Sequence, residues 1–520
     1  MRPFCKSLRK SVKFPLRQII AVLTTLVFWG AFPGWARAQG APFGPQRSNR
    51  LLGTKARDNR SDRNRRLGAS HSLTPNFPGG STAGSIFLEA PTSRSGGYDT
   101  LSIAAADLNG DNKVDMVLVN DDGTVSVLLG NGDGTFTTAV NYEAGGGATS
   151  YQNSPVPTIT PNLVAIADVN GDGKPDLLVT STCAADDCSS GSVGVLLGNG
   201  DGTFRPAVSY GSGGSIATSV AVADVNGDGN LDLLVANDCT SIDGNGNCLG
   251  AETVGVLLGK GDGTFRNAVV YPSGGYYGND SASASVVAAD LNGDGAPDLV
   301  VSNNCTSVDS NGFCLDTGTV GVLLNNGAGT FLPAVVYATG GRDPGPPAIL
   351  ADPNGGSRSA IAVANLCSLH DCVSDSPVGV LLGNGDGTFQ SAVVYDSGGN
   401  SATQVVVAYV NGDINPDLLV LSQCSDNCEG NGIVGVLLGG FKWSFSSPLT
   451  YDAGGSATSL TSADVNGDGN LDLLIANASD NLNTNFGAFG VYWATAPANS
   501  RGRHITAATT ISHNQSLSQI

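Results

Sequence analysis

The chain has 520 residues, 72 of them glycine, and a formal net charge of −19. Residues 1–86 hold 15 of the 26 Lys and Arg and only two acids, Asp58 and Asp62, so the rest is a strongly acidic body. Such a body disfavours binding to nucleic-acid phosphates and favours cations; the glycines follow no three-residue period, which excludes collagen and fits an all-β protein rich in tight turns.

The first segment reads as an address. Arg2, Lys6, Arg9, Lys10, Lys13 and Arg17 precede the apolar run IIAVLTTLVFWGAF (19–32), and Ala36-Arg37-Ala38 matches a small-x-small cleavage site. Residues 1–38 therefore have the layout of a secretory signal peptide, with an uncleaved anchor as the alternative. No later segment is apolar enough to span a bilayer, so the expected location is secreted, periplasmic or at the cell surface. Residues 39–84, rich in Arg, Ser, Asn, Gly and Pro, lack hydrophobic periodicity and read as a basic linker. Residues 498–520 form a polar tail without acids.

Between them, over 85–497, one phrase recurs seven times, starting at Asp107, Asp168, Asp224, Asp290, Asp352, Tyr409 and Asp464 with steps of 55 to 66 residues. Each unit runs in the same order. An alternating segment such as SVAVAD (219–224) enters an acidic loop, and an apolar segment such as LDLLVAN (231–237) leaves it. Then come a variable loop, VGVLLG (254–259), a GDGTF turn and AVVY (268–271). Short β-prone runs bounded by Gly and Asn/Asp are strands, and the Asp-Gly turn is hairpin chemistry. Four antiparallel strands per unit, seven times over, predict a seven-bladed β-propeller; an extended β-solenoid is the alternative, with a unit long for one turn of such a stack. The seventh unit stops after its third strand, FGVYWAT (489–495), whereas IFLEAPTSRSGG (86–97) keeps the spacing of a fourth strand, as in TFRPAVSYGSGG (203–214). The N-terminal strand is thus expected to complete the last blade and close the ring.

The acidic loop places oxygen-bearing side chains at its positions 1, 3, 5 and 9. The intact copies are Asp107, Asn109, Asp111, Asp115; Asp168, Asn170, Asp172, Asp176; Asp224, Asn226, Asp228, Asp232; Asp290, Asn292, Asp294, Asp298; and Asp464, Asn466, Asp468, Asp472. Oxygen-only donors in a flexible loop suit Ca²⁺ better than Mg²⁺. By analogy with calcium loops, the main-chain carbonyl at position 7 (Lys113, Lys174, Asn230, Ala296 and Asn470) joins the set. A metal-free Asn/Asp/Gly turn is the alternative reading. Two copies are degenerate: DPNGGSRSA (352–360) has Gly356 and Ala360 where acids stand elsewhere, and YVNGDINPD (409–417) begins with Tyr409. About five Ca²⁺ sites are expected.

DVNGDGNLDLLVAN together with VGVLLGNGDGTF resembles the FG-GAP/VCBS repeat, the blade unit similar to that of integrin α-chain propellers. The resemblance spans about 87–495 and implies structural calcium in these loops. It transfers no ligand, since such propellers serve in adhesion, in sugar binding and as accessory domains of enzymes.

Ten cysteines form close pairs in the loop between the second and third strands: Cys183/Cys188, Cys239/Cys248, Cys305/Cys314, Cys367/Cys372 and Cys424/Cys428. Their recurrence at one place in each unit favours local disulfides; zinc is the rival, with variable spacings and only His370 in the propeller. Strand alternation puts the acidic loops and GDGTF turns on one face, and the cysteine loops and inter-blade connections on the other. The cysteine face varies between units, so recognition is expected there, unless its loops are merely tolerated insertions. The expected function is an exported calcium-binding module for adhesion to an extracellular protein or glycan, with no nucleic acid partner and no catalytic residue. The alternative is a carbohydrate-active lyase or hydrolase using acids of the varied face such as Asp243, Glu252, Asp309 and Asp316. Tyr276-Tyr277 is a candidate sugar platform.

Overall fold

The computed structural model describes residues 87–89, 93–95, 97, 99–146, 163–182, 190–243, 248–278, 284–309, 312–352, 358–368, 376–424, 431–478 and 488–494, all within the unit Ser81–Ile520. The expected signal peptide, linker and tail, with His370 and Cys183, Cys188, Cys372 and Cys428, lie outside the described residues. No helix among the described residues is long and apolar enough to cross a membrane.

The protein is an all-β, seven-bladed propeller. Blade three shows the plan: Ser215–Ala223, Asp232–Cys239, Thr253–Leu257 and Val269–Pro272 pair antiparallel in that order. The two middle strands are apolar on both sides and buried throughout, as a sheet covered on both faces requires. The outer strand has its residues exposed except for Tyr271, which turns inward.

The core lies between blades. Val193 and Val195 of blade two pack with Val220, Val222, Leu233 and Val235 of blade three. Outer-strand tyrosines add a second contact, each meeting the hairpin phenylalanine of the next blade edge-on. Tyr142 meets Phe204, Tyr210 meets Phe265, Tyr271 meets Phe331, Tyr337 meets Phe389 and Tyr395 meets Phe445, at 5.3–5.6 Å between centroids. Such pairs contribute about 0.5–1.5 kcal/mol beyond area burial.

Blade seven has Ala457–Ala463, Asp472–Asn477 and Ala488–Ala494. Phe87–Glu89 and Ser93–Arg94 pair antiparallel with its third strand. Phe87 opposite Ala494 and Ser93 opposite Phe489 repeat the register of Phe204 opposite Gly198 and Tyr210 opposite Val193 in blade two. Serine replaces the usual tyrosine here, and Phe489 on the neighbouring strand meets Phe136 edge-on instead. Ile103 and Leu118 of blade one share a buried cluster with Leu474 and Val491 of blade seven.

Blade five departs from the uniform first strand expected. Its first strand is split into Arg342–Pro344 and Ala348–Leu350. The sequence DPGPP (343–347) supplies the reason, because proline donates no ladder hydrogen bond.

The glycine of VGVLLG is explained by close approach between blades. A Cβ on Gly194, Gly255, Gly321, Gly379 or Gly435 would stand 1.8–1.9 Å from a main-chain oxygen at the end of the preceding blade. Gly255→Ala is therefore expected to destabilise the protein by more than about 2 kcal/mol, since the carbonyl of Ser212 cannot rotate away. Gly211→Ala, with nothing within 4 Å of its Cβ, should be near neutral in the same urea titration. Equal effects would contradict this packing.

Candidate metal centre

In blade three the acidic loop folds around its first aspartate. Asp224 Oδ1 accepts the N–H of Gly227 and Asp228 at 2.8 and 3.2 Å, and Oδ2 accepts that of Gly229 at 2.8 Å. Asn226 Oδ1 accepts the Asp228 N–H, and Asp228 Oδ1 accepts the Asn230 N–H. Gly227 and Gly229 have φ of 72° and 85°, a region that side chains resist. In blade one Asn112 takes the place of the second glycine at φ 62°, which asparagine tolerates. The same bonds recur around Asp107, Asp168, Asp290 and Asp464.

The ninth position behaves differently. Asp232 is completely buried; its Oδ2 accepts the Val225 N–H at 2.9 Å and its Oδ1 the Gly259 N–H at 2.8 Å. One carboxylate thus pins the start of the loop to the start of the GDGTF hairpin. Asp115, Asp176, Asp298 and Asp417 do the same in their blades, and in blade seven Asp472 takes the N–H of Val465 and of Ala494 at the end of the third strand, all at 2.7–3.1 Å. Asp417 belongs to the copy that begins with Tyr409, so the pin does not depend on a complete loop. In blade five Ala360 leaves the Gly383 N–H to the main-chain oxygen of Ser359. Burial pushes Asp176, Asp232, Asp298, Asp417 and Asp472 up to about 6, opposed by the two backbone bonds and reinforced by neighbouring loop carboxylates.

The donor set fits a hard cation in its chemistry: two loop carboxylates, an amide oxygen, and a third carboxylate held close enough to be raised by the first two. Each oxygen that accepts one backbone bond keeps a second lone pair. Among the described residues, no three His, Cys, Asp or Glu side chains converge as a finished cage, because these carboxylates face backbone N–H groups. Position 7 also divides the blades. Lys113 and Lys174 pair with Asp111 and Asp172 at 3.6 and 3.7 Å, an internal counter-charge that Asn230, Ala296 and Asn470 do not provide.

Residues 107–179, 168–235 and 239–301 match the FG-GAP-like repeat family. The chain is a seven-bladed propeller that contains FG-GAP-like repeats. No curated protein sequence matches it. Solved structures that resemble it include BBS1N in complex with ARL6DN, at 13% identity and a TM-score of 0.46, covering 80% of this chain and 99% of that one. A polysaccharide lyase of family PL25, an ulvan lyase, is 11% identical with a TM-score of 0.47, covering 78% and 96%. The NanB sialidase of Streptococcus pneumoniae is 12% identical with a TM-score of 0.38, covering 78% and 70%.

On the opposite face of the FG-GAP-like blades, Cys239–Cys248 and Cys305–Cys314 are disulfides, with Cα atoms 5.6 and 5.7 Å apart. Pairing is local, as the repeat pattern requires. Cys367 and Cys424 are disulfide-bonded as well. The four acids singled out on this face have unlike settings. Asp316 is bonded to Thr306 and Ser307, and Asp309 accepts the Phe313 N–H. Asp243 is partly buried. Glu252 is completely buried, and its Oε1 accepts the Asn304 N–H of blade four at 3.3 Å.

Sequence reasoning placed Glu252 on the varied face but missed its burial. The available signal was its register: the corresponding residues of the other units are Gly123, Gly191, Gly318, Ser376, Gly432 and Gly487. Burial, then the charge of Asp238, push Glu252 well above the usual glutamate value of 4.5. The fold therefore prefers its protonated form. Stability should fall as pH rises above about 4.5 and through the raised folded value, by up to about 1.4 kcal/mol per pH unit from this group. Glu252→Gln should be more stable than the parent at pH 8, with the gap closing towards pH 4.5 in thermal melts. A gap independent of pH would contradict the assignment.

Proposed function

We propose that this protein is an exported binding or adhesion module: a propeller whose acidic loops hold structural Ca²⁺ and whose cysteine face contacts an extracellular protein or glycan. The observation that carries the reading is the oxygen-only loop at Asp107, Asp168, Asp224, Asp290 and Asp464, where carboxylates are crowded and, in three of five copies, position 7 supplies no lysine to pair with them. The side chains at positions 1, 3, 5 and 9 of each loop, with the carbonyl at position 7, would hold the ion. The ion would supply charge neutralisation and would cross-link the turn, performing no chemical step. Asp352 and Tyr409 mark loops expected to bind weakly or not at all.

Export is supported by the disulfides, which persist in oxidising compartments, and by the signal-like N-terminus. We further propose that the segment from Phe87 to Arg94 is the fourth strand of blade seven and closes the ring; its shared register with other blades supports this. The binding role is supported by the division of faces. Loops of one face are tied by the ninth-position aspartate into near-identical shapes, while those of the other differ in length and are braced by disulfides. A carbohydrate-active enzyme is the second reading, favoured by the close acids Asp238 and Glu252; both are completely buried, which weighs against contact with a substrate.

Adding Ca²⁺ at a hundred times its Kd should stabilise the full chain by about 2.7 kcal/mol per occupied site, and chelation should lower the melting temperature reversibly. Elemental analysis of dialysed protein should find calcium. An unchanged melting curve together with no bound metal would overturn the metal assignment.

A further inference from the structure

About half of the exposed large apolar side chains follow the repeat. Val140, Val208, Val269, Val335 and Val393 occupy one place on the outer strand of successive blades. Leu332, Ile414, Phe441 and Trp493 break that rule singly; Leu249, Tyr276, Phe313 and Leu315 break it together. They are 48%, 41%, 50% and 63% exposed, and all sit on the cysteine face where blades three and four meet.

The connections between them are short. Leu249 lies in a two-residue ladder with Ser241, beside the Cys239–Cys248 disulfide. Three residues later the Glu252 N–H reaches the carbonyl of Gly275, and the next residue, Tyr276, bridges to Cys305 through its own N–H at 2.8 Å. Cys305 is bonded to Cys314, which separates Phe313 from Leu315. That second loop is further braced. Asp309 N–H donates to the Phe313 carbonyl, Leu315 N–H donates to that of Ser307, and Thr306 and Ser307 bond Asp316. Apolar groups held this rigidly lose little entropy on contact with a partner.

Charge narrows the partner. The segments 237–254, 272–284 and 303–319 contain Asp238, Asp243, Glu252, Asp280, Asp309 and Asp316 and no Lys, Arg or His; among the described residues the one cation adjoining them is Arg342, next to Gly341, whose carbonyl accepts the Gly318 N–H. A second copy of this acidic body would bring like charges together. Tyr276 and Phe313 can serve a glycan as platforms, but Leu249 and Leu315 beside them suit the apolar side chains of a polypeptide better.

We propose that Leu249, Tyr276, Phe313 and Leu315, braced by two disulfides and set among loops rich in acids, form a docking surface for a polypeptide segment carrying both cationic and apolar side chains. This rests on the reading of the cysteine face as the binding face and specifies its site and the chemistry of its partner. Apolar contact supplies most of the affinity, and the acids supply steering and selectivity.

The test titrates the full chain with three synthetic peptides, one of Arg and Leu, one of Arg and Ser, and one of Glu and Leu, alongside a glycan array. The Arg/Leu peptide should bind at least about tenfold more tightly than the other two, which is roughly 1.4 kcal/mol. Phe313→Ser combined with Leu315→Ser should weaken it at least about tenfold with an unchanged melting temperature. The control pair Val208→Ser and Val269→Ser should leave it unchanged. Equal binding of the Arg/Ser peptide, no loss in the Phe313/Leu315 pair, or equal loss in the control pair would overturn the proposal. So would self-association, seen by sedimentation, that the Phe313/Leu315 pair abolishes. Glycan binding that is lost on deleting 239–248, with no peptide binding, would overturn this proposal and leave the binding-face reading intact. If no ligand binding depends on that deletion, both fall.

Discussion

Each blade of this propeller must solve one problem where its loops turn on the acidic face. The loop between the first two strands and the hairpin between the last two both begin with a backbone N–H that strand pairing does not satisfy. Six blades answer with a buried aspartate whose two oxygens take one N–H each, as Asp232 takes those of Val225 and Gly259. An unmet buried donor costs about 1–3 kcal/mol, so the arrangement fixes both turns at once. Its cost is a carboxylate kept away from water beside other carboxylates, which is why Asp232 is pushed up to about 6. The same crowding makes the loop a place where a cation is welcome. Structural pin and candidate ligand are one residue.

The opposite face is free of this constraint. Blades there need only keep the contact between the VGVLLG glycine and the preceding blade, and the connecting loops can lengthen without disturbing it. Blade three and blade four use that freedom, with two disulfide-braced loops and a long connection between their sheets. Glu252 is buried beside that connection, at a register where glycine is usual. The variation is thus concentrated where the fold tolerates it, and four exposed apolar residues outside the repeat pattern, Leu249, Tyr276, Phe313 and Leu315, lie at the same place.

The fold was legible in the sequence because it is written several times. One copy of the phrase at Asp224 would support only a turn, whereas its recurrence at intervals of one blade fixes strand order, the division of faces and local cysteine pairing. The N-terminal strand was legible for the same reason, since Phe87 and Ser93 keep the spacing of Phe204 and Tyr210. The pin was not recognised, although Asp417 persists beside Tyr409 and so signals a role beyond a complete ligand set. A sequence does not reveal which backbone donors a carboxylate meets, because these come from residues up to 27 positions away. The split first strand of blade five was visible as DPGPP, but only as local chemistry, not as a break in an inner strand.

The central claim is that the ninth-position aspartate holds the blade together whether or not a cation is bound. Asp417→Ala and Asp232→Ala separate the two roles when unfolding is measured in urea, in chelator and again in calcium. In chelator both variants should lose about 2–6 kcal/mol, from two buried N–H groups left unmet. In calcium Asp417→Ala should lose the same amount, and Asp232→Ala more, because it also removes a ligand. Parent-like stability of both variants in chelator would contradict the account and reduce these aspartates to metal ligands alone.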